Sequence, residues 1–177
     1  MQISRINPCY WDDAAALAAV RIDIKRTEGV RHPMYADGEL MLAALREEYD
    51  NFAAVNYGAE PEATIASNWF TAMGIMTIDA ALAKGLNIES ADSLLPLLRS
   101  KMEDYGYENI QRFGLDGILV RMHDKIARLQ NLLGKSEVNN ESVEDNYKDL
   151  LGYSLIGWIF MNDLWRLPLK EHDDLLA

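Results

Sequence analysis

Residues 141–160 read ESVEDNYKDLLGYSLIGWIF. At about 100° per residue along an α-helix, Val143, Tyr147, Leu150, Leu151 and Trp158 share one apolar face. Glu141, Asp145 and Asp149 recur at i, i+4 and i+8 on the roughly opposite face. A long helix over about Val138 to Leu167 is expected, and the most apolar stretch of the chain, Leu150 to Leu169, is interrupted by Asn162, Asp163 and Arg166. Working backward, LDGILVRMHDKIARLQNLL gives a helix from about Leu115 to Leu133, with Ile118, Met122, Ile126, Leu129 and Leu133 in one narrow arc. The GKSEVNN stretch joins the two helices.

The rest of the chain has the same period. A first helix, capped by Asp12 or Asp13, runs to about Thr27 and is followed by a loop containing Pro33. A second spans about Asp37 to Tyr57 and stops at Gly58; a third runs from near Pro61 to Gly85. A fourth begins at Ser90, with Pro96 bending it or resetting its start, and DYGYEN with Gly106 makes an irregular turn. No period-2 run bounded by hairpin turns occurs. The expected fold is therefore all-α, a bundle of about six helices. A soft boundary near Leu86 to Asp92 suggests a helical region over 1–88 packed on a core over 89–177, the two forming either separate units or one.

Composition narrows the function classes. The 177 residues are 49% hydrophobic and 25% charged, enough to bury a substantial core, so disorder is excluded as the main state. The formal net charge is −11, with the acidic excess spread over both halves, which argues against direct binding to duplex DNA. The single cysteine, Cys9, cannot close an intramolecular disulfide, and no Cys/His spacing suits structural zinc. No apolar run is long enough for a membrane span, and the acids near the N-terminus do not suit a signal peptide, so a cytoplasmic protein with no membrane partner is expected. Four tryptophans and the apolar last helix offer surface for a homo-oligomer.

The acidic stripe is the first candidate for chemistry. It continues through Gly152, Ile156, Ile159 and Phe160, so three carboxylates lie on a line that becomes a packing surface within one turn. Like charges at i, i+4 repel, and burial raises that cost unless a cation is present. Mg²⁺ or Mn²⁺ on Glu141, Asp145 and Asp149 would meet it; a solvated acidic face is the plainer reading. Glu48, among Met41, Leu45, Phe52 and Val55 on the second helix, is a further candidate ligand, or equally an arginine partner. On the preceding helix, Arg121, Asp124 and Arg128 share an arc with Lys125 beside it. These either bridge to the acidic helix or grip phosphate, and both hold if phosphate displaces the bridges. His123 falls off this stripe, and nothing singles out His32 or His172. There is no nucleophile elbow, P-loop or dinucleotide-binding glycine pattern.

Three ordered blocks, KMEDYG, RMHDKIARL and ESVEDNYKDLLGY, carry a resemblance. Over about Lys101 to Tyr153 the chain resembles the nucleotide modification associated domain family of phages and bacteria. The matching residues are Lys101, Asp104, Tyr105 and Gly106; Arg121, Asp124, Lys125, Arg128 and Leu129; and Glu141, Ser142, Asp145, Asp149, Leu150 and Tyr153. The family often has Asn-Tyr after its Asp-Leu pair, where this chain has Leu151-Gly152-Tyr153. The acid-rich helix is also similar to that of the all-α nucleoside triphosphate pyrophosphohydrolases, the MazG and dimeric dUTPase group, although the Glu-x-x-Glu spacing of their first acidic block is absent from LREEYDNF.

The resemblance implies phage or bacterial nucleotide metabolism. The leading expectation is a Mg²⁺- or Mn²⁺-dependent hydrolase converting a (deoxy)nucleoside triphosphate to monophosphate and pyrophosphate. Glu141, Asp145, Asp149 and Glu48 would hold the metal; Arg121, Lys125, Arg128 and Lys101 would bind phosphate. Asp124 and Lys125 would assist catalysis, and Tyr105 and Tyr107 would border the base. The alternative is a non-catalytic nucleotide-binding or partner-binding factor, an accessory to base modification or a nucleotide sequestrant. A structural protein with an interhelical ion-pair network is the third reading.

Overall fold

A computed structural model describes residues 7–29 and 37–176. The Pro33 loop and His32 lie outside the described residues. Eight helices occur among those described, with no strand: α1 Trp11–Glu28, α2 Gly38–Asn56, α3 Ala63–Ala83, α4 Leu95–Tyr105, α5 Glu108–Gln111, α6 Gly114–Asn131, α7 Val143–Met161 and α8 His172–Leu175. The fold is an all-α multi-helix bundle.

Helix boundaries follow local chemistry. The Asp37 side chain caps α2, accepting from the Glu39 backbone N–H at 2.8 Å. Pro96 lies in the first turn of α4, where its missing N–H costs nothing, so it sets the start of that helix rather than bending it. A 3-10 turn over Asp92–Leu94 leads into it. Neither Asp12 nor Asp13 caps α1. Tyr10 stands at that position with no side-chain cap, and both acids turn elsewhere, Asp12 to Arg99 of α4 and the Lys170 N–H, Asp13 to the Lys170 ammonium.

The last long helix is shorter than its periodicity suggests, at Val143–Met161 rather than Val138 to Leu167. Ser142 is its N-cap and forms a reciprocal capping box with Asp145: Asp145 N–H donates to Ser142 Oγ at 3.0 Å, and Ser142 N–H donates to Asp145 Oδ2 at 3.2 Å. The two orphan donors at the helix end are thereby satisfied, which fixes the start five residues later than hydrophobic spacing alone implies. The helix ends where Asp163 takes a left-handed conformation, φ 58°.

The core forms around α3 and α7, which pack antiparallel: Ser67 meets Asn162, and Phe70 meets Gly157. A Cβ at Gly157 would fall 2.2 Å from the fully buried Phe70 ring, so only glycine permits this approach. Helix α1 runs beside α3 through alanines, Ala14, Ala15, Ala18 and Ala19, which are all buried, and Ile22 is seated over Gly74. Arg26 pairs with Asp79 at 2.8 Å along the same contact. Helices α2 and α6 close the other sides; the Tyr49 hydroxyl donates to the Leu119 carbonyl at 2.6 Å, and burial pushes its pKa up to about 12. The buried residues form one cluster from Trp11 to Trp165, continuous across the expected boundary near Leu86 to Asp92.

Candidate functional site

Helix α4 supplies Lys101, α6 supplies Arg121, Lys125 and Arg128, and α7 supplies Asp149, Gly152, Tyr153 and Ile156. Their meeting forms a cleft with two lobes. The basic lobe, about 550 Å³, is lined by Arg121, Asp124, Lys125, Arg128, Glu141 and Tyr153, with Ala127 and Asn131. The second, about 490 Å³, has an apolar wall of Leu94, Leu97, Leu98, Met102, Ile110 and Ile156 above Trp11 and Trp165. Arg121, Glu141 and Tyr153 belong to both and mark the junction. Gly152 and Ile156, which follow the acids in sequence, thus border an open lobe. The acidic stripe meets apolar residues because a cleft lies there.

Two cations converge on one carboxylate. Lys101 Nζ is 2.6 Å from Asp149 Oδ1, and Lys125 Nζ is 2.8 Å from Asp149 Oδ2. Lys125 also reaches Glu141 Oε2 at 3.0 Å. Burial pushes the Asp149 carboxyl up, but hydrogen bonds and charge from Lys101 and Lys125 outweigh it and hold the pKa below the usual carboxylate value. Burial likewise disfavours the Lys125 ammonium, and its bonds to Asp149 and Glu141 reverse that effect and raise its pKa. The four groups are a neutral cluster. Lys148, which also lines the cleft, is matched by Glu144 at 2.8 Å.

The two arginines differ from the lysines. Arg121 donates to the Asn109 carbonyl at 3.3 Å and Arg128 to the Glu141 carbonyl at 2.9 Å. Neither guanidinium has a carboxylate partner among the described residues. Arg128 Nε is buried with no acceptor. Spaced seven residues apart on α6, the two project onto one face with Lys125 between them.

The expected metal ligands do not come together. Asp145 is exposed and committed to the capping box, and Glu141 precedes the helix, so the three acids are not one helical stripe. Both oxygens of Asp149 are taken by lysines. Glu48, half-buried on α2, lines neither lobe. Among the described residues no three His, Cys, Asp or Glu side chains are grouped to hold a metal ion. This donor set, with ammonium groups already in the positions a cation would take, does not suit a resident Mg²⁺ or Mn²⁺.

Of the other expected residues, Tyr105 lines the apolar lobe and Asp124 the basic one, with 73% of the Asp124 side chain in solvent. Tyr107 does not border the cleft. Its hydroxyl donates to the Leu167 carbonyl at 2.6 Å and its carbonyl accepts from Trp165 Nε1 at 3.0 Å, pinning the C-terminal segment that forms the floor. Trp11 and Trp165 meet edge to face at 6.1 Å, and the Trp11 backbone N–H donates to the Pro168 carbonyl at 2.8 Å. Sequence periodicity did not single out Lys148, Asn109, Trp11 or Trp165. Only the i, i+4 pairing of Glu144 with Lys148, one residue before Asp149, was there to be noticed.

No family model, curated protein or solved structure matches this chain. Among the described residues no helix is long and apolar enough to cross a membrane.

Proposed function

We propose that the cleft binds a nucleotide, its phosphate against the α6 cations and its base and sugar in the lobe formed by α4, α7 and the two tryptophans. The observation that carries this reading is the pair of guanidiniums, Arg121 and Arg128, without carboxylate partners among the described residues and beside an apolar, aromatic-floored lobe. Arginine offers a planar fork that matches phosphate oxygens, and an apolar wall with a few polar groups is what a flat heterocycle needs. Tyr105 and Tyr153 present aromatic surface at the rim and at the junction. Asp149 keeps Lys101 and Lys125 extended toward the cleft.

Binding is expected without a resident metal. Calorimetry with a panel of nucleotides in EDTA tests this: the wild-type protein binds, and Arg121→Gln weakens binding at least tenfold with unchanged helix content. Equal affinity in wild type and Arg121→Gln contradicts the reading. The hydrolytic alternative requires Asp149 and Glu141 to give up their lysines to a cation. Release of pyrophosphate from a nucleoside triphosphate on addition of Mg²⁺, lost in Asp149→Ala, identifies that activity.

A further inference from the structure

We propose that phosphate binding in the cleft releases the connection between α6 and α7, because Glu141, which ties that connection down, is seated on cations that the phosphate takes. This rests on the nucleotide reading above and deepens it by giving the site a conformational output.

The tether is a single residue. Lys135 N–H donates to the Leu132 carbonyl at 3.2 Å, and Ser142 begins the capping box of α7. Between them, residues 136–140 make no hydrogen bond or ion pair among the described residues, and all but the half-buried Val138 are exposed. Glu141 carries both fastenings. Its Oε2 accepts from Lys125 Nζ at 3.0 Å, and its backbone carbonyl accepts from Arg128 at 2.9 Å. Both donors belong to the α6 cations that line the basic lobe, and Glu141 itself borders both lobes.

The two carboxylates on Lys125 are held unequally. Asp149 stands on α7 with its side chain 12% exposed and Lys101 on its other oxygen. Glu141 precedes the helix, its side chain is 45% exposed, and Lys125 is its one cation among the described residues. An ion pair this open to water contributes little. A phosphate monoester brings about −1.5 to −2 charge and three acceptor oxygens, where a carboxylate brings a single charge and a pair of oxygens. Lys125 and Arg128 are i, i+3 neighbours on α6, close enough for one phosphate to bridge. Glu141 is therefore the partner that yields, and Asp149 stays. With Lys125 and Arg128 both engaged by phosphate, the two fastenings of Glu141 are lost together.

The test uses the full chain in EDTA, with the monophosphates of adenosine, guanosine, cytidine and thymidine as probes. Calorimetry gives affinity, and limited digestion with trypsin, read by mass spectrometry, gives the rate of cleavage after Lys135, which is exposed at the head of the connection. A bound monophosphate should speed that cleavage about threefold or more, whereas chloride at equal ionic strength should not. Glu141→Ala should be cut faster without nucleotide and should bind the monophosphate about two- to fivefold tighter. Asp124→Ala removes a charge from the same lobe without freeing Lys125 or either arginine, so its gain in affinity should be smaller. A monophosphate that binds but leaves cleavage after Lys135 unchanged, or slows it, overturns the inference while the nucleotide reading stands. Glu141→Ala binding no tighter than wild type, or no tighter than Asp124→Ala, overturns it equally. No binding by any of the four probes removes the nucleotide reading itself, and this inference with it.

Discussion

Helix α7 has two unlike sides. Toward α3 it presents Gly157 to the Phe70 ring with no space left over, whereas toward α4 and α6 it presents Asp149, Gly152, Tyr153 and Ile156 to an open cleft. The first side is filled by shape, and a side chain cannot be added. The second is held apart by charge: Asp149 engages lysines from α4 and α6 at once, tying both helices to α7 by their side-chain ends. The contrast shows how one helix can be the centre of a rigid core and still supply the wall of an open cleft.

The two glycines of α7 probe that contrast most sharply. Gly157→Ala forces a Cβ into the Phe70 ring and should cost about 3 kcal/mol, lowering the melting temperature by about 9 °C. Gly152→Ala meets only ordinary contacts, Leu98 at 3.6 Å and Leu94 at 3.8 Å, and gains helix propensity. Thermal unfolding of this variant should show no loss, and a gain of up to about 1 kcal/mol. Equal destabilisation by the two would remove the distinction between a closed side and an open one.

Next in size is the charge cluster. Asp149→Asn leaves Lys125, 19% exposed at its side chain, beside Lys101 without the carboxylate between them. Denaturant unfolding should register a loss of about 2 kcal/mol. The same cluster sets a pH dependence with a definite sign. The Asp149 pKa is lowered in the fold, so its contribution is present at neutral pH and is lost as the pH falls below about 4. The Lys125 pKa is raised, so its contribution holds at neutral pH and is lost as the pH rises above about 10. Asp149→Asn should flatten the acid limb of a stability profile relative to wild type; an identical acid limb contradicts the assignment.

The smallest effect concerns Asp145. Its removal breaks the capping box, so Asp145→Ala should cost about 1 kcal/mol by equilibrium unfolding. Nucleotide affinity should stay within twofold of wild type, since the side chain lines neither lobe. Abolished binding in a folded Asp145→Ala protein would restore this residue to the site.

The helices were legible in the sequence because burial imposes their period: Ile118, Met122, Ile126 and Leu129 are all inside, as their narrow arc implies. The basic arc of Arg121, Asp124, Lys125 and Arg128 was equally legible, and all four residues line one lobe. The acidic stripe misled because spacing does not distinguish a helical i, i+4 pair from a helix start. Ser142 and Asp145 have the spacing of a capping box, and that local bonding moves Glu141 off the helix. The apolar lobe was not legible, for it depends on where α4 and the segment around Trp165 dock against α7, and these contacts join residues far apart in the chain. Tyr107 has the same explanation, its hydroxyl being used by a carbonyl 60 residues away.

The central claim is that Arg121 and Arg128 receive the phosphate of a nucleotide. Nitrogen-15 NMR of the arginine Nε–H groups during titration with a nucleoside monophosphate tests it most directly. The expected result is a saturable shift at Arg121 and Arg128, with Arg21 of α1, which lies over the Trp158 ring of α7, unmoved. Saturable binding that leaves Arg121 and Arg128 unshifted, or that shifts Arg21 instead, contradicts the account.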